Sequence, residues 1–417
     1  MLLRFCFTQA LAIAVLSAQT IEAVPGRVMV DEPVAFRASG LQPGERASVR
    51  AELTDGDGVH WISQADFAAD SQGAIDTAKQ APVKGSYKEV SAAGLIWSMM
   101  PSSRRIFRYR PPRGGAAQSI ELHLLRGGAQ IASGRFEQAF VAEGVRRIDV
   151  HEGALRGALF LPPGSGPYPG VLVLGGSEGG LSPGRAEWLA SRGFAAFALA
   201  YFRYDDLPRE LAGIPLEYFG TALGWMAHQP GIAPERIAVM EMSRGAELAL
   251  QIASMVPGIR AVVAYSPADV RYPACCGATP VPWAWTFRGQ PLAWRPVLRF
   301  SPVEAIRAAI EVERIHGPIL LTSGEADRVW ESPAMADSIV ARLKRNRFAY
   351  EVVHLNYAHA GHTAGLPEIV PAWKGEFRHP VSGQMMELGG TPEGNAMASL
   401  DAIPKVLDFL RRSLAAH

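Results

Sequence analysis

Two serines in this chain stand where a hydroxyl could be turned into a nucleophile. Gly175-Gly176-Ser177-Glu178-Gly179 is the only literal G-x-S-x-G, and Glu241-Met242-Ser243-Arg244-Gly245 is a degenerate copy. In a nucleophile elbow the serine rides a strained turn between a strand and a helix, so its hydroxyl stands clear of the sheet. Arg236-Ile-Ala-Val-Met240 reads as a short buried strand and Ala246-Glu-Leu-Ala-Leu-Gln-Ile-Ala253 as a helix packed on it. Ser177 follows an equally good strand, 170–174, but the stretch Glu178-Gly-Gly-Leu-Ser-Pro-Gly184 is too rich in Gly and Pro to begin a helix at once. Ser243 is therefore the expected nucleophile. The loop at Ser177 is the expected source of oxyanion donors, with the backbone N–H of Arg244 on one side and that of Gly176 or Ser177 on the other.

A serine hydroxyl is too weakly acidic to attack unaided. It needs an imidazole to take its proton and a buried carboxylate to hold that imidazole in the right tautomer. When Ser243 ends the third strand of the unit, the acid and then the histidine should follow it in the chain. Pro318-Ile-Leu-Leu-Thr322 reads as a strand, and the loop after it carries Asp327, the expected acid, with Glu325 and Asp269 as substitutes. Phe348 to Leu355 reads as the last strand, and Tyr357-Ala-His359-Ala-Gly-His362 follows it, giving His362 as the expected base and His359 as the reserve. Each residue has a plainer reading alone: Ser243 a helix N-cap, Asp327 a turn residue, and His354, His359 and His362 surface residues or metal ligands. Their order, each at the C-terminal end of an expected strand, is what joins them.

The elements that must position these residues fall into two halves. The chain has 417 residues, 48% of them hydrophobic and 19% charged, which suits two globular domains. Residues 24–145 read as a small antiparallel β-sandwich: Val49, Ala51 and Leu53 alternate with polar neighbours, Asp55-Gly-Asp-Gly58 closes a turn, Ile120, Leu122 and Leu124 repeat the period, and Gly127-Gly128 offers a hairpin. Arg146 to Val150 reads as the way out of it. Residues 150–417 change to an α/β rhythm, with strands at 170–174, 194–201, 236–240, 260–265, 318–323 and 348–355 and helices near 185–192, 216–228, 245–256 and 334–344. That alternation predicts a mostly parallel, doubly wound sheet of the α/β-hydrolase class. The Pro- and Trp-rich segment 270–300 interrupts it as a structureless, lid-like insert.

Composition also excludes partners. A net charge of +1 without a Lys/Arg run asks for neither nucleic acid nor an acidic membrane surface. Residues 1–23 look like an export signal cleaved after Ala18 or Ala23, and no later run reaches the roughly 18 apolar residues of a membrane helix. The expected location is thus periplasmic or secreted if the signal is cleaved, and cytoplasmic otherwise. Of three cysteines, Cys6 lies in that leader, and the neighbours Cys275 and Cys276 are expected as free thiols rather than a strained bridge. No cofactor or metal is expected.

The motifs extend beyond the triad. Asp31-Glu-Pro-Val-Ala-Phe36, Gly40-Leu-Gln-Pro-Gly44, Gly85-Ser-Tyr87 and Gly94-Leu-Ile-Trp-Ser-Met-Met-Pro101 lie in the first half. Gly166-Pro-Tyr-Pro-Gly170, Ala200-Tyr-Phe-Arg-Tyr-Asp-Asp-Leu-Pro208, Leu216-Glu-Tyr-Phe219, Ser243-Arg-Gly-Ala-Glu-Leu248 and Ala360-Gly-His362 lie in the second. Over essentially the whole mature chain this resembles the family of acyl-CoA thioesterases and bile acid-CoA:amino acid N-acyltransferase. By position the resemblance implies Ser243 as nucleophile, Asp327 as acid, His362 as base and the loop 175–180 as oxyanion region. The family's amino-acid transferases carry Cys where this chain has Ser243, so the resemblance implies hydrolysis over amide formation, with a small-molecule acyl thioester or ester as the expected partner. Competing readings are a carboxylesterase or dienelactone-hydrolase-like enzyme on oxygen esters, an acyl-CoA:amino acid N-acyltransferase, and an inactive hydrolase-fold binding protein. One departure stands out: Glu241 occupies a usually small position two before the nucleophile, and is expected to point outward or to open the elbow slightly.

Overall fold

Strands that bury one face dominate the first half. The computed structural model describes residues 18–103, 108–296 and 301–416. A seven-stranded sheet contains Arg46–Thr54, His60–Ala68, Gln118–Arg126 and Ala129–Ala139. In Arg46–Thr54 the residues Val49, Ala51 and Leu53 are buried, as their alternation predicts. Asp55 closes the turn that follows: its Oδ1 accepts the N–H of Asp57 at 3.0 Å and of Val59 at 2.9 Å, and its Oδ2 accepts the Trp61 indole N–H at 2.9 Å. A three-stranded sheet, Thr20–Val24, Ala35–Ser39 and Ile75–Asp76, shares the same core, where the Phe36 and Phe136 rings lie 5.5 Å apart.

The second half is an eight-stranded sheet. Its strands are Arg146–Glu152 (β1), Leu155–Leu161 (β2), Tyr168–Val173 (β3), Ala195–Ala200 (β4), Ile232–Met242 (β5), Ala261–Tyr265 (β6), Ile319–Gly324 (β7) and Val352–Tyr357 (β8), in the order β1-β2-β4-β3-β5-β6-β7-β8. Strand β2 is antiparallel to both its neighbours, β1 and β4, and the remaining neighbours pair parallel. Central strands such as Ala261–Tyr265 are buried along their whole length, as a sheet with helices on both faces requires. The longer helices are Pro183–Ser191 (α1), Glu217–Ala227 (α2), Arg244–Met255 (α3), Ser332–Arg345 (α4) and Pro392–Ser413 (α5). This is the α/β-hydrolase architecture. Among the described residues no helix is long and apolar enough to cross a membrane.

The structure departs from the sequence reading in five places. Residues 146–150 do not lead out of the sandwich but belong to β1, an edge strand in which only Val150 is buried, so it carries no hydrophobic period. Helix α5 was not foreseen, since Pro392 and Pro404 disguise it; Pro392 sits in its first turn and the Thr391 hydroxyl caps it at the Gly394 N–H, 2.9 Å away. The last strand begins at Val352 rather than at residue 348. The insert 270–300 is not structureless: Trp285–Phe287 pairs with Ile214–Pro215, and Leu211 bridges Cys275, although 297–300 lie outside the described residues. Cys275 and Cys276 form a disulfide instead of free thiols, in a turn that Cys276 (φ 74°) and Gly277 (φ 153°) allow.

The two halves are knitted together by the motifs of the first. The buried carboxylate of Asp31 accepts the Trp188 indole N–H at 2.7 Å and Arg192 Nε at 2.8 Å. The Ile369 N–H donates to the Val30 carbonyl at 2.7 Å. Gly94 packs on the Tyr87 ring so closely that a Cβ there would overlap it, which ties two of the sequence motifs together.

Residues 1–17 lie outside the described ones, but the fold starts ahead of the boundary expected at residue 24. Thr20–Val24 pairs with Ala35–Ser39, and Ile21 and Ala23 enter the core. Cleavage after Ala18 spares this strand; cleavage after Ala23 removes it. A chain lacking residues 1–18 should melt with the full fold, and one lacking 1–23 should lose about 2–4 kcal/mol of stability from the lost burial and pairing, as thermal denaturation of the two would show.

Candidate active site

The elbow forms because β5 and α3 meet with only one residue between them. Ser243 takes φ 61°, ψ −128°, a conformation that L-residues rarely adopt. Its N–H donates to the Tyr265 carbonyl at 2.9 Å, and its hydroxyl makes no capping bond to its own helix. A Cβ on Gly245 would overlap Glu241 Cγ and come within 2.7 Å of the Gly175 carbonyl oxygen, so this position tolerates only glycine. The strained Ser243 backbone is therefore held by its N–H bond to Tyr265 and by close packing at Gly245, while its hydroxyl is left uncommitted to the helix.

Asp327 lies in the turn after β7. Its Oδ1 accepts the Val329 N–H at 2.8 Å, and its Oδ2 accepts the Ser332 hydroxyl at 2.7 Å. His362 Nδ1 meets Asp327 Oδ2 at 2.8 Å, both side chains being buried. An ionised carboxylate only accepts, so Nδ1 carries the proton and Nε2 is left as the basic nitrogen. The His362 backbone is fixed at both ends, its N–H on the Leu388 carbonyl at 2.7 Å and its carbonyl on the Ser266 hydroxyl at 2.8 Å. Trp330 meets the imidazole edge-on, with ring centroids 5.6 Å apart. The substitutes lie elsewhere: His359 is exposed, the Glu325 carboxylate binds Asn356, and Asp269 receives the Ile310 N–H on its carbonyl.

Ser177 has a histidine of its own, which the sequence reading missed. The Ser177 hydroxyl lies 3.1 Å from His379 Nε2. His379 Nδ1, however, accepts the N–H of Ser382 at 3.1 Å and of Val381 at 3.3 Å. Nδ1 being an acceptor, Nε2 bears the proton and donates it to Ser177, so this imidazole cannot serve as a base there. Burial holds the His379 pKa below its ordinary value, which keeps the ring in that neutral form. No sequence signal marked His379, because it sits on a loop 202 residues away from its partner.

The glycine loop is held against the elbow. The Gly175 carbonyl accepts the Tyr201 hydroxyl at 2.7 Å, and a Cβ on Gly176 would lie 3.7 Å from the Met242 carbonyl oxygen. Among the described residues, neither the Gly176 nor the Ser177 N–H is committed to a backbone carbonyl. The Arg244 N–H belongs to the first turn of α3, whose amides have no partner within the helix. The Arg244 side chain turns the other way, onto the insert: Nη2 donates to the Pro273 carbonyl at 3.1 Å, and Nη1 lies 2.9 Å from Glu247. Glu247 in turn accepts the Trp285 indole at 2.8 Å, its pKa raised by burial against the pull of Arg244. Tyr272 stacks on Trp330 with centroids 5.4 Å apart, so the insert walls the histidine side of the site.

Glu241 does not point outward. It is buried and pairs with Arg185, and the elbow stays closed because Gly245 leaves room for it. Among the described residues, no cluster of three His, Cys, Asp or Glu could hold a metal ion.

Comparison with known proteins identifies the family. The pattern described as "Acyl-CoA thioester hydrolase/BAAT N-terminal region" matches residues 31–152, and "BAAT / Acyl-CoA thioester hydrolase C terminal" matches 214–274 and 295–416. Acyl-coenzyme A thioesterase 1 of Mus musculus is 33% identical over 94% of this chain and 96% of its own length. Mitochondrial acyl-coenzyme A thioesterase 2 of Homo sapiens is 31% identical over 94% and 83%. Among solved structures, a dienelactone hydrolase-like promiscuous phosphotriesterase from metagenomic libraries aligns over 65% of this chain and 98% of its own at 19% identity and TM-score 0.41. With both halves matched and relatives 33% identical over nearly the whole chain, the protein belongs to the acyl-CoA thioester hydrolase/BAAT family.

Proposed function

We propose that this chain is a serine hydrolase that cleaves acyl-CoA-like thioesters through an acyl-enzyme on Ser243. The observation that carries the reading is a serine in a left-handed elbow after β5 together with a buried His–Asp couple in the loops after β7 and β8 of the same sheet. The names of the relatives supply the substrate class: they are acyl-coenzyme A thioesterases. In the proposed reaction His362 Nε2 takes the Ser243 proton as the hydroxyl oxygen attacks the thioester carbonyl. Asp327 stabilises the imidazolium that results. The Arg244 N–H and an N–H of Gly176 or Ser177 stabilise the tetrahedral oxyanion. Collapse expels the thiolate, which takes the proton from His362. Water, deprotonated by the same nitrogen, then releases the acid.

The site chemistry does not depend on compartment. We take residues 1–18 as a leader whose removal would deliver the enzyme outside the cytoplasm, where other acyl esters would compete as natural substrates.

Kinetics of single variants check the roles. Ser243→Ala and His362→Ala should each lower kcat by about 10³-fold or more, and Asp327→Asn somewhat less, because the three act as a unit. Ser177→Ala should keep most of the activity. A Ser177→Ala loss matching that of Ser243→Ala would overturn the elbow assignment. A fluorophosphonate should label Ser243 in the wild type, and an unlabelled protein would contradict the enzyme reading in favour of a binding role.

Substituting the nucleophile probes the acceptor. A thioester acyl-enzyme yields to amines more readily, relative to water, than an oxygen ester does. Ser243→Cys, supplied with glycine or taurine, should therefore raise the amide-to-acid product ratio. An unchanged ratio would assign acceptor choice to pocket shape instead of to the nucleophile.

A further inference from the structure

A charged pair lies beneath the elbow that the proposed reaction does not use. Glu241, two residues before Ser243, is 1% exposed, and its Oε1 accepts the Met242 N–H at 2.9 Å while pairing with Arg185 Nη2. Arg185 sits on α1, the helix that the glycine loop 175–182 runs into. The methylenes of Glu241 fill the space that Gly245 vacates on the far side of the nucleophile. One carboxylate thus touches both sides of the elbow and the helix that carries the glycine loop.

Fold stability does not account for the pair. Glu241 Oε2, Arg185 Nε and Tyr265 Oη are all buried without a hydrogen-bond partner among the described residues. An incompletely satisfied buried ion pair is often no more stable than apolar side chains of similar volume. A small residue at position 241 would fit the turn at lower cost. Groups that cost stability beside a reacting atom are more often there for geometry.

We infer that Glu241 and Arg185 form a positioning pair for the hydrolysis proposed above: their contact sets α1, and with it the loop Gly175–Gly180, at a fixed distance from the elbow. The loop amides and the Arg244 amide then converge on one oxyanion. The inference rests on the Ser243 reading. Because the oxyanion exists only after attack, loosening the pair should lower kcat and leave KM nearly unchanged.

The pair also carries a pH signature. The groups facing Glu241 are Arg185 from α1, Tyr265 from β6 and Tyr201 from β4. Burial pushes the Glu241 carboxyl up to about 7, with Arg185 opposing it. The contact is therefore ionic above about pH 7 and weaker below. The sign for stability is opposite: a carboxyl raised above its value of 4.5 contributes stability fully present below pH 4.5 and lost as pH rises through about 7. Activity and stability should cross in the same window.

The experiment compares wild type, Glu241→Gln, Arg185→Met and Arg185→Lys for kcat, KM and melting temperature on a long-chain acyl-CoA between pH 5 and 9. Glu241→Gln and Arg185→Met should each lower kcat at pH 8 by about tenfold to a hundredfold, the size of effect that a misplacement of about 1 Å produces, with KM within about twofold. Arg185→Lys, which keeps the charge, should recover most of the loss. In Glu241→Gln the fall of melting temperature with pH near pH 7 should vanish, and the kcat profile should lose the part that Glu241 contributes while keeping that of the His362 base. A Glu241→Gln enzyme whose kcat and pH profile match the wild type would overturn the pair's role. So would variants that lose kcat only in proportion to folded protein. Fluorophosphonate labelling of the wild type separates the two claims: no label at Ser243 overturns the hydrolase reading and this role together, whereas a label with an unchanged Glu241→Gln profile overturns only the pair.

Discussion

One left-handed residue organises this half of the molecule. Placing Ser243 at φ 61° between β5 and α3 costs on the order of 1–3 kcal/mol, and neighbours must hold it there. The Tyr265 carbonyl fixes its N–H from the next strand, Gly245 lets α3 start without a clash, and Glu241 fills the space beneath. Each of these is a constraint on residue type that follows from the turn. The sheet's order follows too, since β5 must sit centrally for strands on one side to bring the His–Asp couple and for β3 on the other to bring the glycine loop.

The remaining groups arrive through loops at the same edge of the sheet, where open α/β sheets bind ligands. Asp327 follows β7 and His362 follows β8, and both are pinned by backbone donors and acceptors rather than by side chains alone. The insert at 270–296 closes the third side through Arg244, Glu247 and Trp285, so one helical turn beside Ser243 also holds the wall of the pocket. The sandwich half is joined to this arrangement through Asp31 and Arg192, the latter at the end of α1. Helix α1 therefore links the sandwich, the glycine loop and the elbow.

The site was largely legible because its parts obey short-range rules. A buried strand is a run such as Ala-Val-Val-Ala-Tyr265, and a serine after such a run and before a helical pattern marks an elbow. The helix that follows Ser243 at once and the delayed one after Ser177 were also readable, because Gly and Pro after Ser177 forbid an immediate helix. Features set by distant contacts were not readable. His379 meets Ser177 across 202 residues, and Glu241 turns inward only because Arg185 waits on another helix. The edge strand β1 exposes all but one of its side chains and shows no period, and α5 hides behind two prolines. The bridge between Cys275 and Cys276 depends on a local backbone turn that composition does not reveal.

The central claim is a covalent bond, and a covalent bond can be weighed. Rapid quenching of the enzyme during turnover of an acyl-CoA, followed by peptide mass mapping, should find the acyl mass on the peptide that contains Ser243. Turnover with the acyl group on a different residue, or with no acylated peptide under conditions where deacylation limits the rate, would contradict the account.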